Sequence, residues 1–127
     1  MPNYWFDHVH LISTDPLKTA KFYEQMFGAK MVGSQELAGG RTRIHLDLNG
    51  ATILVMNPRA RPLMPSAPKT GLEHFGMRTD DLEAAVAELK VKGVEFVLEI
   101  TEVQPRLKIS YLLGPENVPI ELQEGSL

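Results

Sequence analysis

DHVHLISTDPLKTAKFYEQMFGAKMV (residues 7–32) and EHFGMRTDDLEAAVAELKVKGVEFV (residues 73–97) are two copies of one pattern. Thr14 aligns with Thr79 and the offset then holds to the end of both segments, while the second copy is one residue shorter before it. Each copy starts with a short run in which apolar and polar residues alternate, as on a half-buried strand. Each then offers a helix start, Ser13-Thr14-Asp15-Pro16 in the first and Thr79-Asp80 in the second. Leu17, Ala20, Tyr23 and Phe27 lie on one helical stripe, widened by Phe22 and Met26. Leu82, Ala85, Val86 and Leu89 form its counterpart. Gly28 and Gly93 stand where each helix should stop.

Reading outward, the first copy continues with strands at Lys30–Leu37, Arg41–Leu48 and Ala51–Asn57, the last two joined by the two-residue hairpin signal Asn49-Gly50. The second continues with strands at Val94–Ile100, Arg106–Leu113 and Val118–Gln123, the last two separated by Gly114-Pro115-Glu116-Asn117. With opening strands at Tyr4–Ile12 and Glu73–Arg78, the order is βαβββ twice. The prediction is a single α+β domain spanning residues 1–127: module one at 4–57, a linker at 58–71 with four prolines, and module two at 72–124.

Composition bounds the chemistry. The 127 residues include no cysteine, which excludes thiol nucleophiles and thiolate metal sites and leaves nitrogen and oxygen as metal donors. The net charge of -3 lacks the basic excess of a nucleic-acid binder. The longest apolar runs, such as Ala51–Met56, are far short of a membrane span, and the first residues lack a secretory layout. These features give the expectation of a soluble cytoplasmic protein without nucleic-acid or membrane partners.

Strand parity then selects candidates. Val9 and Leu11 are apolar opposite His8 and His10; Phe75 and Met77 are apolar opposite His74; Ile120 and Leu122 are apolar opposite Glu121. If the apolar sets pack under the helices, His8, His74 and Glu121 face the other way, and two imidazoles with one carboxylate suit a divalent ion of nickel, cobalt, manganese, iron(II) or zinc. His10, two residues from His8, reads as a substitute ligand, a proton-transfer group or a cleft-lining residue. Thr52, Leu54 and Met56 share a parity and read as an apolar part of a substrate pocket. His45 reads as exposed strand face. Arg59, Arg61 and Lys69 in the linker read as a solvated basic loop, with contact to an anionic substrate tail as the alternative.

The repeat, together with Phe6-Asp7-His8-Val9, Phe22-Tyr23, Phe27-Gly28, Glu73-His74-Phe75 and GPENVPIEL at 114–122, resembles the vicinal oxygen chelate superfamily. That superfamily includes glyoxalase I, methylmalonyl-CoA epimerase, extradiol dioxygenases, and bleomycin and fosfomycin resistance proteins. The resemblance implies a glyoxalase-like fold whose curved mixed sheets surround a metal-binding cleft. It places His8, His74 and Glu121 at the first, third and fourth ligand positions. The second, a Glu or Gln in glyoxalase I and the epimerases, aligns with Leu54, so the four-ligand site of those enzymes is incomplete and Glu121 or His10 is left as the proton-transfer group. It further implies lyase- or isomerase-like chemistry on a substrate with vicinal oxygens, and a homodimer. Tyr111 and the residues after it resemble an extradiol dioxygenase ending, without that family's preceding histidine. A metal-free, ligand-sequestering protein of the antibiotic-resistance type is the remaining alternative.

Overall fold

The computed structural model describes residues 3, 6–60 and 72–125. Two compact units divide the chain, Met1–Ser66 and Ala67–Leu127. Each contains one βαβββ module, the α+β arrangement expected from the repeat. Tyr4, Arg61 and Lys69, and three of the four linker prolines, lie outside the described residues.

In the first unit the elements are β1 (Val9–Ile12), α1 (Pro16–Phe27), β2 (Lys30–Glu36), β3 (Thr42–Leu48) and β4 (Ala51–Met56). The sheet order is β1-β4-β3-β2, with β1 parallel to β4 and the other pairs antiparallel. Asp15 caps α1 by accepting a hydrogen bond from the Lys18 amide at 3.1 Å, Pro16 fills the first helical position, and Gly28 ends the helix at φ 75°. Pro16, Thr19, Ala20 and Tyr23 are buried under Leu11, Ile44, Leu46, Ile53 and Val55 of the sheet. This corrects the stripe read from sequence, because Leu17 is half exposed: it sits about 100° around the helix from Pro16, just outside the inward arc. Asn49 and Gly50 both take positive φ, as the tight β3–β4 hairpin requires.

In the second unit β5 (Phe75–Arg78), α2 (Leu82–Val91), β6 (Phe96–Gln104), β7 (Leu107–Leu113) and β8 (Pro119–Gly125) repeat the plan as β5-β8-β7-β6, with β5 parallel to β8. Leu82, Val86 and Leu89 bury the inner stripe of α2. Its cap is Asp81 rather than Thr79-Asp80. The Asp81 carboxylate reaches the Ala84 amide three residues on at 3.0 Å, while the Thr79 hydroxyl accepts from the Asp81 amide. Strand β6 runs on to Gln104, four residues past the expected end, because its hairpin turns at Arg106 with φ 66° and carries no glycine to signal it. No helix among the described residues is long and apolar enough to cross a membrane.

Candidate functional site

Both units place a histidine one residue before the strand that opens the module, His8 ahead of β1 and His74 ahead of β5. Each is held by the acid that precedes it: His8 Nδ1 lies 2.7 Å from Asp7 Oδ2, and His74 Nδ1 lies 2.9 Å from Glu73 Oε1. A carboxylate can only accept, so Nδ1 donates to the acid, and in the neutral ring Nε2 then carries the lone pair. Carboxylates orient metal-binding histidines in this way. The acid–histidine dipeptide recurs in both copies, and that repetition was the signal in the sequence that could have identified Asp7 and Glu73.

In the second unit the sheet register brings three candidates together. Gly76 of β5, Glu121 of β8, Tyr111 of β7 and Leu98 of β6 form one row across the strands. Neighbours in register share a face, and Ile120 and Leu122 occupy the opposite, buried face. Glu121 Oε1 stands 3.3 Å from His74 Nε2, and the Tyr111 hydroxyl stands 3.4 Å from the same nitrogen. Burial, with the nearby carboxylates of Glu121 and Glu73, raises the Tyr111 phenol above its ordinary range, so it remains a donor at neutral pH. The Glu121 side chain is 19% exposed and that of His74 is 25% exposed, so both are accessible to a ligand.

The geometry fits a divalent ion. A lone-pair nitrogen and a carboxylate oxygen facing each other repel unless a proton or cation lies between them. Ligand bonds of about 2.0–2.2 Å at angles between square and tetrahedral separate two donors by about 2.8–3.6 Å. The observed 3.3 Å falls within that span.

The first unit has the same row with different chemistry. His10 of β1, Leu54 of β4, His45 of β3 and Gly33 of β2 are register neighbours. Leu54 thus takes in its sheet the place of Glu121, and His45 that of Tyr111. A cavity of 620 Å³ opens on this face, lined by Asp7, His8, Gln35, Arg43, His45, Thr52 and Leu54 among others. Thr52 and Leu54 are where the sequence reading put them. Met56 has the same parity but is 2% exposed and lies outside the lining. His45 is solvent-exposed, as expected for a strand face, yet belongs to the cavity wall, a role that strand parity did not separate from simple exposure. The rings of His8 and His10 stand edge to face at 6.3 Å. Burial first, then the positive charges of Arg59, His8 and Arg43, hold His10 below the usual histidine range.

A separate acidic group, Asp81, Glu83 and Glu124, has its carboxylates engaged otherwise. Lys108 reaches Glu83 at 2.7 Å and Glu124 at 3.4 Å, Glu124 accepts the Leu82 amide and Asp81 accepts that of Ala84. It serves as the capped start of α2.

Comparison with known proteins gives one family match. The model described as "Glyoxalase/Bleomycin resistance protein/Dioxygenase superfamily" covers residues 5–122. The chain is 27% identical over 122 residues to "Uncharacterized protein YwkD" of Bacillus subtilis (strain 168), covering 92% of this chain and 94% of that one. It is 29% identical over 124 residues to "Uncharacterized protein YaeR" of Escherichia coli (strain K12), covering 92% and 93%. Among solved structures, the fosfomycin resistance protein FosX of Listeria monocytogenes superposes with a TM-score of 0.80 at 22% identity, covering 99% of this chain and 97% of that one. A form of FosX complexed with Mn(II) and sulfate ion gives 0.74 at 19% identity, covering 99% and 96%.

Proposed function

The chain belongs to the glyoxalase/bleomycin resistance protein/dioxygenase superfamily, and from that premise we propose that it is a divalent-metal-dependent enzyme with lyase- or isomerase-like chemistry on a small substrate with vicinal oxygens. The observation that carries the reading is the approach of His74 Nε2 to Glu121 Oε1, with Nδ1 of the same ring committed to Glu73. His74 and Glu121 hold the ion, and His8, oriented by Asp7 in the same way, presents the equivalent imidazole of the first unit. The complex of FosX with Mn(II) supports a divalent ion in this fold.

A divalent ion in this position supplies Lewis-acid polarisation of substrate oxygens. The chain's own groups do the rest. Tyr111 donates a hydrogen bond from its protonated phenol beside His74. His10, kept neutral by burial and by the neighbouring guanidiniums, accepts a proton at an imidazole nitrogen, and Glu121 is the second group able to move one. Glu73 and Asp7 fix the rings, and Leu54 presents an apolar wall in the first unit's cavity.

Elemental analysis and turnover test the proposal. Purified protein is expected to carry stoichiometric metal that is lost in His74→Ala. Loaded with nickel, cobalt, manganese or iron(II), it is expected to turn over a hemithioacetal or an acyl-CoA epimer. Turnover of a catechol instead would assign a dioxygenase. A metal-free protein that binds hydrophobic drugs without converting them would overturn the proposal in favour of sequestration.

A further inference from the structure

Every element around the first unit's cavity adds positive charge or neutral donors, and the acid in its wall is already engaged. Arg43 and His45 come from β3, Thr52 from β4, and His8 from the approach to β1. Asp7, the acid in the lining, is paired with His8 at 2.7 Å. Asp47, on the same face of β3, accepts the Gly50 amide at 3.2 Å in the hairpin. Among the described residues Arg43 donates to a neutral amide, that of Gln35, so its charge is not neutralised by that contact. His10, the register neighbour of Leu54, keeps its Nε2 buried with no hydrogen-bond partner among the described residues.

We infer that this face of the first unit is an oxyanion subsite, in which the guanidinium of Arg43 takes the carboxylate or phosphate-like group of a small ligand lying over Leu54, with His45 and Thr52 as further donors. Arg43 presents a planar fork matched to a carboxylate. Leu54, between His10 and His45, gives the ligand's carbon skeleton an apolar floor without a competing negative charge. At this position the second unit carries Glu121, which would repel an anion, so the two sheets divide the labour between cation and anion binding. The inference deepens the proposed function by naming the substrate as anionic, and it rests on that reading only for the claim that the ligand is a substrate.

The experiment uses the full chain stripped of metal and follows the imidazole NMR signals of His10 and His45. Glycolate and inorganic phosphate are the probes, with ethylene glycol as the uncharged control. Saturable shifts with at least one of the anions are expected, with none from ethylene glycol. Glycolate binding the tighter would assign a carboxylate, and phosphate binding the tighter a tetrahedral anion. Arg43→Gln should weaken the anion about tenfold, the charge-assisted bond being worth that much. Arg43→Lys should recover part of the loss, which separates recognition from misfolding. Manganese titration of the same variants is expected to match the parent protein, whereas Glu121→Gln should lose manganese and keep the anion. Failure of the metal reading therefore leaves the anion result intact. Absence of saturable shifts, or an affinity in Arg43→Gln equal to that of the parent, overturns the inference.

Discussion

Replacing Glu73 by alanine tests the construction of the metal site without touching a ligand. The carboxylate holds His74 Nδ1 at 2.9 Å, and removing it frees the ring to turn and to move its proton to Nε2. Even two full charges at that distance in water interact by only about 1.4 kcal/mol, which bounds the bond from the carboxylate to the ring. The Glu73 side chain is 83% exposed, so the water value applies and side-chain entropy reduces it. The expected loss of metal affinity is then roughly three- to tenfold, at or below the low end of the about 10–100-fold range for partners of metal-binding histidines. Glu121→Gln, which removes a ligand charge outright, should cost more than about a hundredfold on the same scale. Manganese titration against a competing chelating dye measures both, with Glu102→Ala, an exposed acid on β6, as the control for net charge. Unchanged affinity in Glu73→Ala alongside a large loss in Glu121→Gln would refute the orienting role. Unchanged affinity in both would refute the site.

Three further changes report on other parts of the argument. Leu54→Glu puts a carboxylate between His10 and His45 at the register position equivalent to that of Glu121, on the face of Arg43, and should weaken the anion at least about tenfold in the imidazole NMR titration, since a carboxylate there repels it; no change would deny that the anion lies over Leu54. Gly125→Ala should lower stability by about 2 kcal/mol or more in urea unfolding, because the residue has φ 95° and an added Cβ would lie 1.9 Å from the Arg106 carbonyl oxygen; a stability equal to the parent would deny the turn geometry. Lys108→Met should flatten the acid limb of the stability–pH curve. The Lys108 hydrogen bond holds the Glu83 carboxyl below its ordinary 4.5, so its contribution is present above that pH and lost as pH falls through the folded-state value; an unchanged limb in thermal melts across that range would contradict it.

Much of the fold is legible because the same physical signals occur twice. Alternation placed His8, His74 and Glu121 opposite the apolar residues of their strands, and the hairpin glycine, the helix caps and the C-terminal glycine of α1 marked most boundaries. The errors fall where a local signal has a close competitor. Leu17 is apolar and one residue from the inward arc, so helical periodicity alone could not show that Pro16 would be buried in its place. Three consecutive residues that can cap, Thr79, Asp80 and Asp81, left the start of α2 to be decided by which side chain reaches an amide three residues ahead. Hydrogen bonds between adjacent residues, Asp7 to His8 and Glu73 to His74, depend on rotamers that periodicity does not encode.

The site divides along the same line. Strand parity says which face a residue takes but not which residue stands beside it, since register is set by bulges and turns that shift the count between neighbouring strands. The register shows why His45 had to be missed: on its own strand it is one of three alternating polar residues, and only pairing with Leu54 brings it to the wall opposite His10. The same pairing makes Leu54 more than a missing ligand. In the second sheet the central β8 position carries an acid between a glycine and a tyrosine, leaving room and a donor for a cation. In the first, the central β4 position is apolar between two imidazoles, with Arg43 on the same face. A carboxylate there would neutralise the guanidinium. Leucine there leaves out a carboxylate and leaves the guanidinium's charge free together, so on the proposed reading the departure from the four-ligand pattern alters which substrate this face suits as well as which donors it offers.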